Sequence, residues 1–308
     1  MVSSEAEFLA PYAQIRGLHA TLKEKAPYLT SVFAKQHAEF GKPWLEAFEK
    51  DLETFFRGDQ NAISLAITGY VKFALEGMLL QKRFTKTRRY ENKTYAEAAN
   101  EVYQNKNYMF DLYLPGILLS HFLWRHHYRQ LVFFNEEFRP KVLKHGGKKF
   151  YDVGVGTGFY SKEMLRQLPD MQGEGFDLSP FSLEYTERML KAWGFSSRYK
   201  PNLRNIITER VAVRAPFVTC IEVLEHLEDP LSFLKALQGM LEPGGLGLIS
   251  AAITAPNADH IYLYNEMSEV ISQLNAAGFK VLSFREDRAY EPKPGESVPV
   301  NGVAIVTK

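Results

Sequence analysis

The stretch Tyr151-Asp152-Val153-Gly154-Val155-Gly156-Thr157-Gly158-Phe159-Tyr160-Ser161 constrains the fold of this chain more than any other. It starts as an apolar strand and runs into helix-like sequence over 161–168. Three glycines at alternate positions let the chain reverse tightly and let backbone approach a ligand that any Cβ would exclude. Asp177 follows Gly158 by about twenty residues, at the end of a second strand over 173–177, where a carboxylate accepts hydrogen bonds from ribose hydroxyls. The pattern reads as a nucleoside-binding strand-turn-helix-strand unit.

Around this unit, strands and helices alternate from Lys148 onward. Strands are expected at 149–153, 173–177, 197–200, 216–222, 245–251, 280–285 and 303–307, and helices at 161–168, 180–193, 230–241 and 266–277. Such alternation implies an α/β fold, a doubly wound sheet with helices on both faces. The last two strands leave no room for a crossover helix. Pro292, Pro294 and Pro299 fill that gap, so these strands are expected to pair as an antiparallel hairpin. Seven strands ending in this way differ from an ordinary dinucleotide dehydrogenase.

Residues 1–140 read instead as helices. Pro43 opens a segment with Leu45, Phe48, Leu52 and Phe55 on one face, closed by Gly58. Ile63, Ile67, Tyr70, Ala74, Gly77 and Met78 carry the next stripe, with Asp59 as its cap. Thr94 and Glu97 form a capping box, and one long helix is expected over 115–138. The expected organisation is a helical cap domain over 1–140 and a Rossmann-like domain over 141–308.

The 308 residues carry a formal net charge of +1 and one cysteine, Cys220, which excludes an intrachain disulfide and a cysteine metal cluster. Near-neutral charge argues against a nucleic-acid partner, and the basic run Lys82-Arg83, Lys86, Arg88-Arg89 reads as a solvated helix end. Uninterrupted apolar runs such as 116–120 fall short of the ~20 residues of a membrane span. The first residues lack a signal pattern. A cytoplasmic protein with no membrane partner is the expectation; oligomeric state is left open.

Together these features resemble the class I S-adenosylmethionine-dependent methyltransferases. The similarity covers roughly 128–308 and rests on four ordered landmarks. They are the 152–158 glycine turn, Asp177, Cys220-Ile-Glu-Val-Leu-Glu-His-Leu227, and Leu241-Glu-Pro-Gly-Gly245. The resemblance implies a Rossmann-like seven-stranded domain with S-adenosyl-L-methionine as cofactor. It implies that Asp152, Gly154, Gly156, Gly158, Asp177 and Leu178 hold the cofactor and that Glu222 lines the pocket. The family's usual acidic residue after the third strand is missing, and Asn202 is its expected substitute at the adenine edge. The Pro-Pro-Tyr signature of base and amide N-methylating relatives is also absent after the fourth strand.

A sulfonium donor needs water excluded and a nucleophile aligned, and aromatic ring faces suit the cation. The aromatic-rich runs 107–113 and 122–128 are expected to roof the sheet's carboxyl edge. Most of these rings are expected in the cap core, with Tyr108, Tyr113 and Tyr128 the exceptions that face the site. His121, His126 and His127 lack an organised acidic partner in sequence, so no metal site is expected. In the loop after the fifth strand, His260 is the expected general base, with Asp259 or Asn257 orienting an amine.

Two activities are compatible with these motifs. One is methyl transfer to a small-molecule acceptor under the cap. The alternative resembles the azetidine-2-carboxylate synthases, in which the donor's own amine attacks its side chain and expels methylthioadenosine. A non-catalytic binding protein is a third reading.

Overall fold

The computed structural model describes residues 5–91, 94–292 and 296–308; Pro294 lies outside them. The N-terminal part contains α1 (Glu5–Leu9), α2 (Ala13–Lys25), α3 (Ser31–Phe56), α4 (Gln60–Thr87), α5 (Tyr95–Ala98), α6 (Lys106–Tyr108), α7 (Leu114–Leu123), α8 (Arg125–Phe133) and α9 (Arg139–His145). Gly41 at φ 63°, ψ −152° kinks α3 two residues before Pro43. The arm that Pro43 opens buries Trp44, Leu45, Phe48 and Leu52. Asp59 caps α4 by accepting from the N–H groups of Asn61 and Ala62. The Thr94–Glu97 capping box is formed.

The single helix expected over 115–138 is instead broken. Trp124 adopts extended angles (φ −101°, ψ 123°) between α7 and α8, and residues 134–138 widen into a π-helical turn. Apolar side chains on both sides of the break conceal it in sequence, because each arm satisfies helical periodicity by itself. By length and composition α4 is apolar enough to cross a membrane, which the short uninterrupted runs do not reveal. Here it packs Ile63, Ile67, Tyr70 and Phe73 into the helical core.

The second part holds β1 (Lys149–Val153), β2 (Gln172–Asp177), β3 (Tyr199–Leu203), β4 (Ala215–Cys220), β5 (Leu241–Ile253), β6 (Lys280–Arg288) and β7 (Val300–Thr307). They form one sheet in the order β3-β2-β1-β4-β5-β7-β6. Strands β1 to β5 pair in parallel, while β7 runs antiparallel to both β5 and β6. The chain order reverses between β1 and β4, which opens a crevice at their carboxyl ends. Successive residues feed opposite cores, as strand pleating requires. Phe150, Phe217, Leu248 and Ile305 pack on the side shared with the cap. Tyr151, Val218, Ile249 and Val306 pack on the other. That second side is covered by α12 (Pro230–Met240) and α13 (Met267–Ala276). The cap side carries α10 (Phe159–Gln167) and α11 (Pro180–Ala192).

The cap is pinned to α10 by a charged cluster. Lys162, with no exposed surface, donates to Asp51 of α3 at 2.7 and 2.9 Å and to Glu163 at 2.6 Å. Its ammonium also lies 4.1 Å from the centre of the Phe159 ring. A lysine stripped of water is tolerated only with such partners.

Candidate functional site

A cavity of about 1840 Å³ lies at the carboxyl ends of β1, β2, β4 and β5, lined by both sheet loops and cap helices. It exceeds the ~300–1,000 Å³ of an ordinary small-molecule pocket, leaving room for two ligands. Gly154, Gly156 and Gly158 have φ of 76°, 52° and 74°, a region that favours glycine. A Cβ on Gly154 would overlap Val223, and one on Gly158 would lie 2.8 Å from Thr186 Cγ2, whereas the space beside Gly156 is open. The bare backbone at 156 is therefore open to the cavity. Asp177 stands beside it, accepting from Gly156 N–H at 3.4 Å and Ser179 N–H at 2.8 Å. Burial pushes its pKa up, opposed by those N–H groups. Leu178 lines the same cavity and is 44% exposed.

Asp152 also borders the cavity, but its oxygens are occupied by Ser161 Oγ at 2.5 Å and Thr219 Oγ1 at 2.8 Å. Burial raises its pKa to about 7. It ties β1 to α10 and β4. Asn202 does not line the cavity; its Nδ2 donates within the sheet to the Gly175 carbonyl at 3.1 Å. Arg204, Asn205 and Ile206, just beyond β3, line it instead.

Of the aromatic residues singled out in sequence, Tyr113 lines the cavity, together with Tyr95, Tyr103 and Trp124. Tyr108 and Tyr128 do not. Tyr108 donates to Glu76 at 2.6 Å, and Tyr128 packs against Phe40 and Phe122. Both serve cap packing, Tyr108 through Glu76 of α4 and Tyr128 among the rings of the cap core.

Two histidine–carboxylate groupings face the cavity. The first belongs to the sheet edge. His226 Nδ1 lies 3.2 Å from Asp259 Oδ2 and 3.1 Å from Tyr103 Oη, while Tyr113 also donates to Asp259. Burial opposes protonation of His226 most, but Asp259, Glu225 and the Asp259 carbonyl together outweigh it and its pKa is raised. Burial likewise opposes ionisation of Asp259, yet His226 and His260 hold its pKa below the usual value. Asp259 is fully buried and does not itself line the cavity. His260 does, with Nδ1 donating to the Ala255 carbonyl at 2.5 Å. That bond leaves Nε2 with its lone pair. Burial and the neighbouring His226 charge push His260 down to about 4. Glu225 is fully buried with neither carboxyl oxygen hydrogen-bonded, and burial raises its pKa to about 8. Glu225, His226 and His260 each offer a ligand atom within 4.8 Å of the others, a grouping able to hold a cation and not evident from sequence.

The second grouping joins cap to sheet and corrects the view that the cap histidines lack an acidic partner. His127 Nε2 lies 3.3 Å from Glu222 Oε2, and its Nδ1 is 2.9 Å from Ser120 Oγ. Asn301 donates to the other Glu222 oxygen, and Glu222 N–H donates to Ser250 Oγ at 3.0 Å. Glu222 sits at φ 53°, a strained conformation for a residue with a side chain. Burial raises its pKa, but His127 and the other histidines overcome this and bring it to about 2. Sequence alone carries no signal for this pair, since cap docking creates it.

Residues 151–246 match the family model described as a methyltransferase domain. A ubiquinone biosynthesis O-methyltransferase of Stutzerimonas stutzeri is 34% identical over 116 residues, 36% of this chain and 47% of that protein. One from Pseudomonas aeruginosa is 30% identical over 137 residues, 43% and 55% of the two chains. The chain thus spans about half the length of the curated relatives it matches. Among solved structures, an O-methyltransferase family protein from Burkholderia thailandensis superposes with a TM-score of 0.55 at 14% identity, covering 78% of this chain and 71% of that one. The N-methyltransferase NodS from Bradyrhizobium japonicum, in complex with S-adenosyl-L-homocysteine, gives 0.51 at 16% identity, covering 67% and 97%. These two likenesses bear on the fold.

Proposed function

We propose that this protein, whose residues 151–246 match a methyltransferase-domain model, is a class I S-adenosylmethionine-dependent methyltransferase that transfers a methyl group to an oxygen of a small-molecule acceptor enclosed under the helical cap. The observation that carries this reading is the shared cavity. The open backbone at Gly156 and the Asp177 carboxylate lie at one end of it, and histidine–carboxylate groups line the same space. The names of the relatives favour oxygen as the atom methylated and give no support to the cyclising alternative.

The residues fit the cofactor. A glycine cradle that a Cβ would fill and a carboxylate at the end of β2 are what an adenosyl ligand needs. When bound, S-adenosylmethionine supplies a methyl group activated by the positive charge on sulfur. Asp177 holds the ribose, and Leu178 and Ile206 flank the base. Tyr103, Tyr113 and Trp124 wall the space beyond, excluding water and offering ring faces to a cation. His260 accepts a hydrogen bond at Nε2 from the acceptor hydroxyl and so aims an oxygen lone pair. Asp259 acts at one remove, fixing His226 and the two tyrosines.

The full chain should be incubated with S-adenosylmethionine alone and with a panel of phenols, catechols and amines, and the products identified by mass spectrometry. S-adenosylhomocysteine formed only when an acceptor is present is the expected result. Methylthioadenosine and a cyclic amino acid from donor alone would replace this reading with cyclisation. Donor binding with neither product would leave a binding protein.

A further inference from the structure

We propose that the outer face of α4 is a docking surface for an anionic lipid bilayer, and that the cavity opens within that surface. This goes beyond methyl transfer and does not depend on it. α4 buries one face in the helical core through Ile63, Ile67, Tyr70 and Phe73. The opposite face is left in water. Leu75, Met78 and Leu79 are 46, 48 and 51% exposed there. Together with the exposed Lys72, Lys82 and Lys86 they fall within an arc of about 120° at 3.6 residues per turn. Large apolar side chains gathered on one exposed face and rimmed by charge mark an interaction surface.

The charge indicates what covers it. Residues 77–90 carry five basic side chains, Lys82, Arg83, Lys86, Arg88 and Arg89, and no acidic one. All five are exposed, as expected of a solvated helix end, but they continue the apolar patch and do not stand apart from it. Glu91, just past the run, pairs with Arg83 at 2.7 Å, and Glu76 is turned to Tyr108. Lysines beside leucines on one helical face suit anionic headgroups above acyl chains, the first meeting phosphates and the second entering below them. Nucleic acid would use the charge and leave the leucines in water. An apolar protein face would use the leucines and strand the lysines. Because its core face is committed, α4 lies along the membrane surface and does not cross it.

Continuity with the cavity is the second argument. Met78, Lys82 and Lys86 belong to its lining, as do Lys35 and the exposed rings of Tyr28 and Tyr290. Tyrosines and lysines around apolar side chains settle at the level of lipid headgroups. Glu291 and Glu296 border the cavity from the β6–β7 connection, so the basic excess lies on the α4 side of the rim. Gln81 ties that side to the sheet domain by donating to the Ser297 carbonyl at 2.7 Å. α4 lies outside residues 151–246, so this surface is no part of the matched domain.

Co-sedimentation of the full chain with vesicles tests this. Binding to phosphatidylcholine containing about 30% phosphatidylglycerol should be ~10-fold tighter than to phosphatidylcholine alone, and ~10-fold weaker when salt rises from about 0.1 to about 0.5 M. Leu75→Gln combined with Leu79→Gln, neither of which lines the cavity, should weaken binding to the anionic vesicles ~10-fold. Circular dichroism and melting temperature like those of wild type show that this variant is folded. Cys220 is buried, so a polarity-sensitive fluorophore on Leu79→Cys reports the orientation of docking. Its emission should shift to the blue on anionic vesicles, and the same label on Lys235→Cys of α12 should not respond. Equal binding or no binding to the two vesicle types, undiminished binding by the folded glutamine pair, or a response at 235 and none at 79 overturns the proposal. A dimer that the glutamine pair abolishes, or tight binding of oligouridylate without vesicle binding, assigns the face to a second copy or to nucleic acid and overturns it equally.

Discussion

The ends of the cavity proposed for donor and for acceptor are built in opposite ways. The proposed donor end comes chiefly from one continuous stretch, 152–178, in which a strand, a glycine turn, a helix and a second strand set the geometry locally, joined by Ile206 just beyond β3. The proposed acceptor end draws on α7, α8 and the loops after β4 and β5, so its cap residues meet its sheet residues only because the cap is docked. The donor end should therefore respond to substitution through affinity, and the acceptor end through rate and pH.

The widest gap between the ends is expected from Asp177→Ala. Removing a carboxylate that hydrogen-bonds a ribose costs about 2–3 kcal/mol, or roughly 30- to 150-fold in donor affinity by calorimetry. A change below threefold would mean that this end does not hold the ribose. At the acceptor end, His260→Ala should lower turnover ~10- to 100-fold with little change in donor affinity. Loss of affinity in place of rate would merge the two ends into one.

A third expectation concerns pH. Glu225 has its folded-state pKa raised from an ordinary 4.5 to about 8. Its contribution to stability is then fully present below about 4.5 and is lost as pH rises through about 8. The melting temperature of the wild type should fall between pH 6 and 9, and Glu225→Gln should flatten that fall by about 5 °C. A wild-type curve with no slope there would show that Glu225 is hydrated or paired. The smallest effects belong to Tyr108→Phe and Tyr128→Phe, each expected to leave turnover within about twofold and to cost under about 1 kcal/mol of stability. A large rate loss from either would return it to the site.

Legibility in sequence follows the same division. All seven strands and the four helices among them were foreseeable, because buried parallel strands and amphipathic helices have distinct periods and the glycine turn fixes their register. The terminal hairpin was foreseeable from the absence of room for a helix. In the cap, caps and prolines located α3 to α5, yet the break at Trp124 escaped notice because no glycine or proline marks it. Its consequence is that Tyr128 is turned into the core and His127 onto Glu222. Asn202 was displaced for a simpler reason: β3 continues through Leu203, so position 202 is still in the ladder. His226 was visible as part of a motif, but its bond to Asp259 spans two loops and was not.

The buried Lys162–Asp51 contact has a bearing on how molecules enter and leave. Separating a desolvated ammonium from its carboxylate costs on the order of 3–5 kcal/mol. A roof fastened in this way is a fixed wall and not a swinging door. Traffic should pass instead along the far rim, where Lys35, Lys82 and Lys86 border the same hollow and are open to water. Exchange rates should then depend on that rim and be indifferent to the fastening.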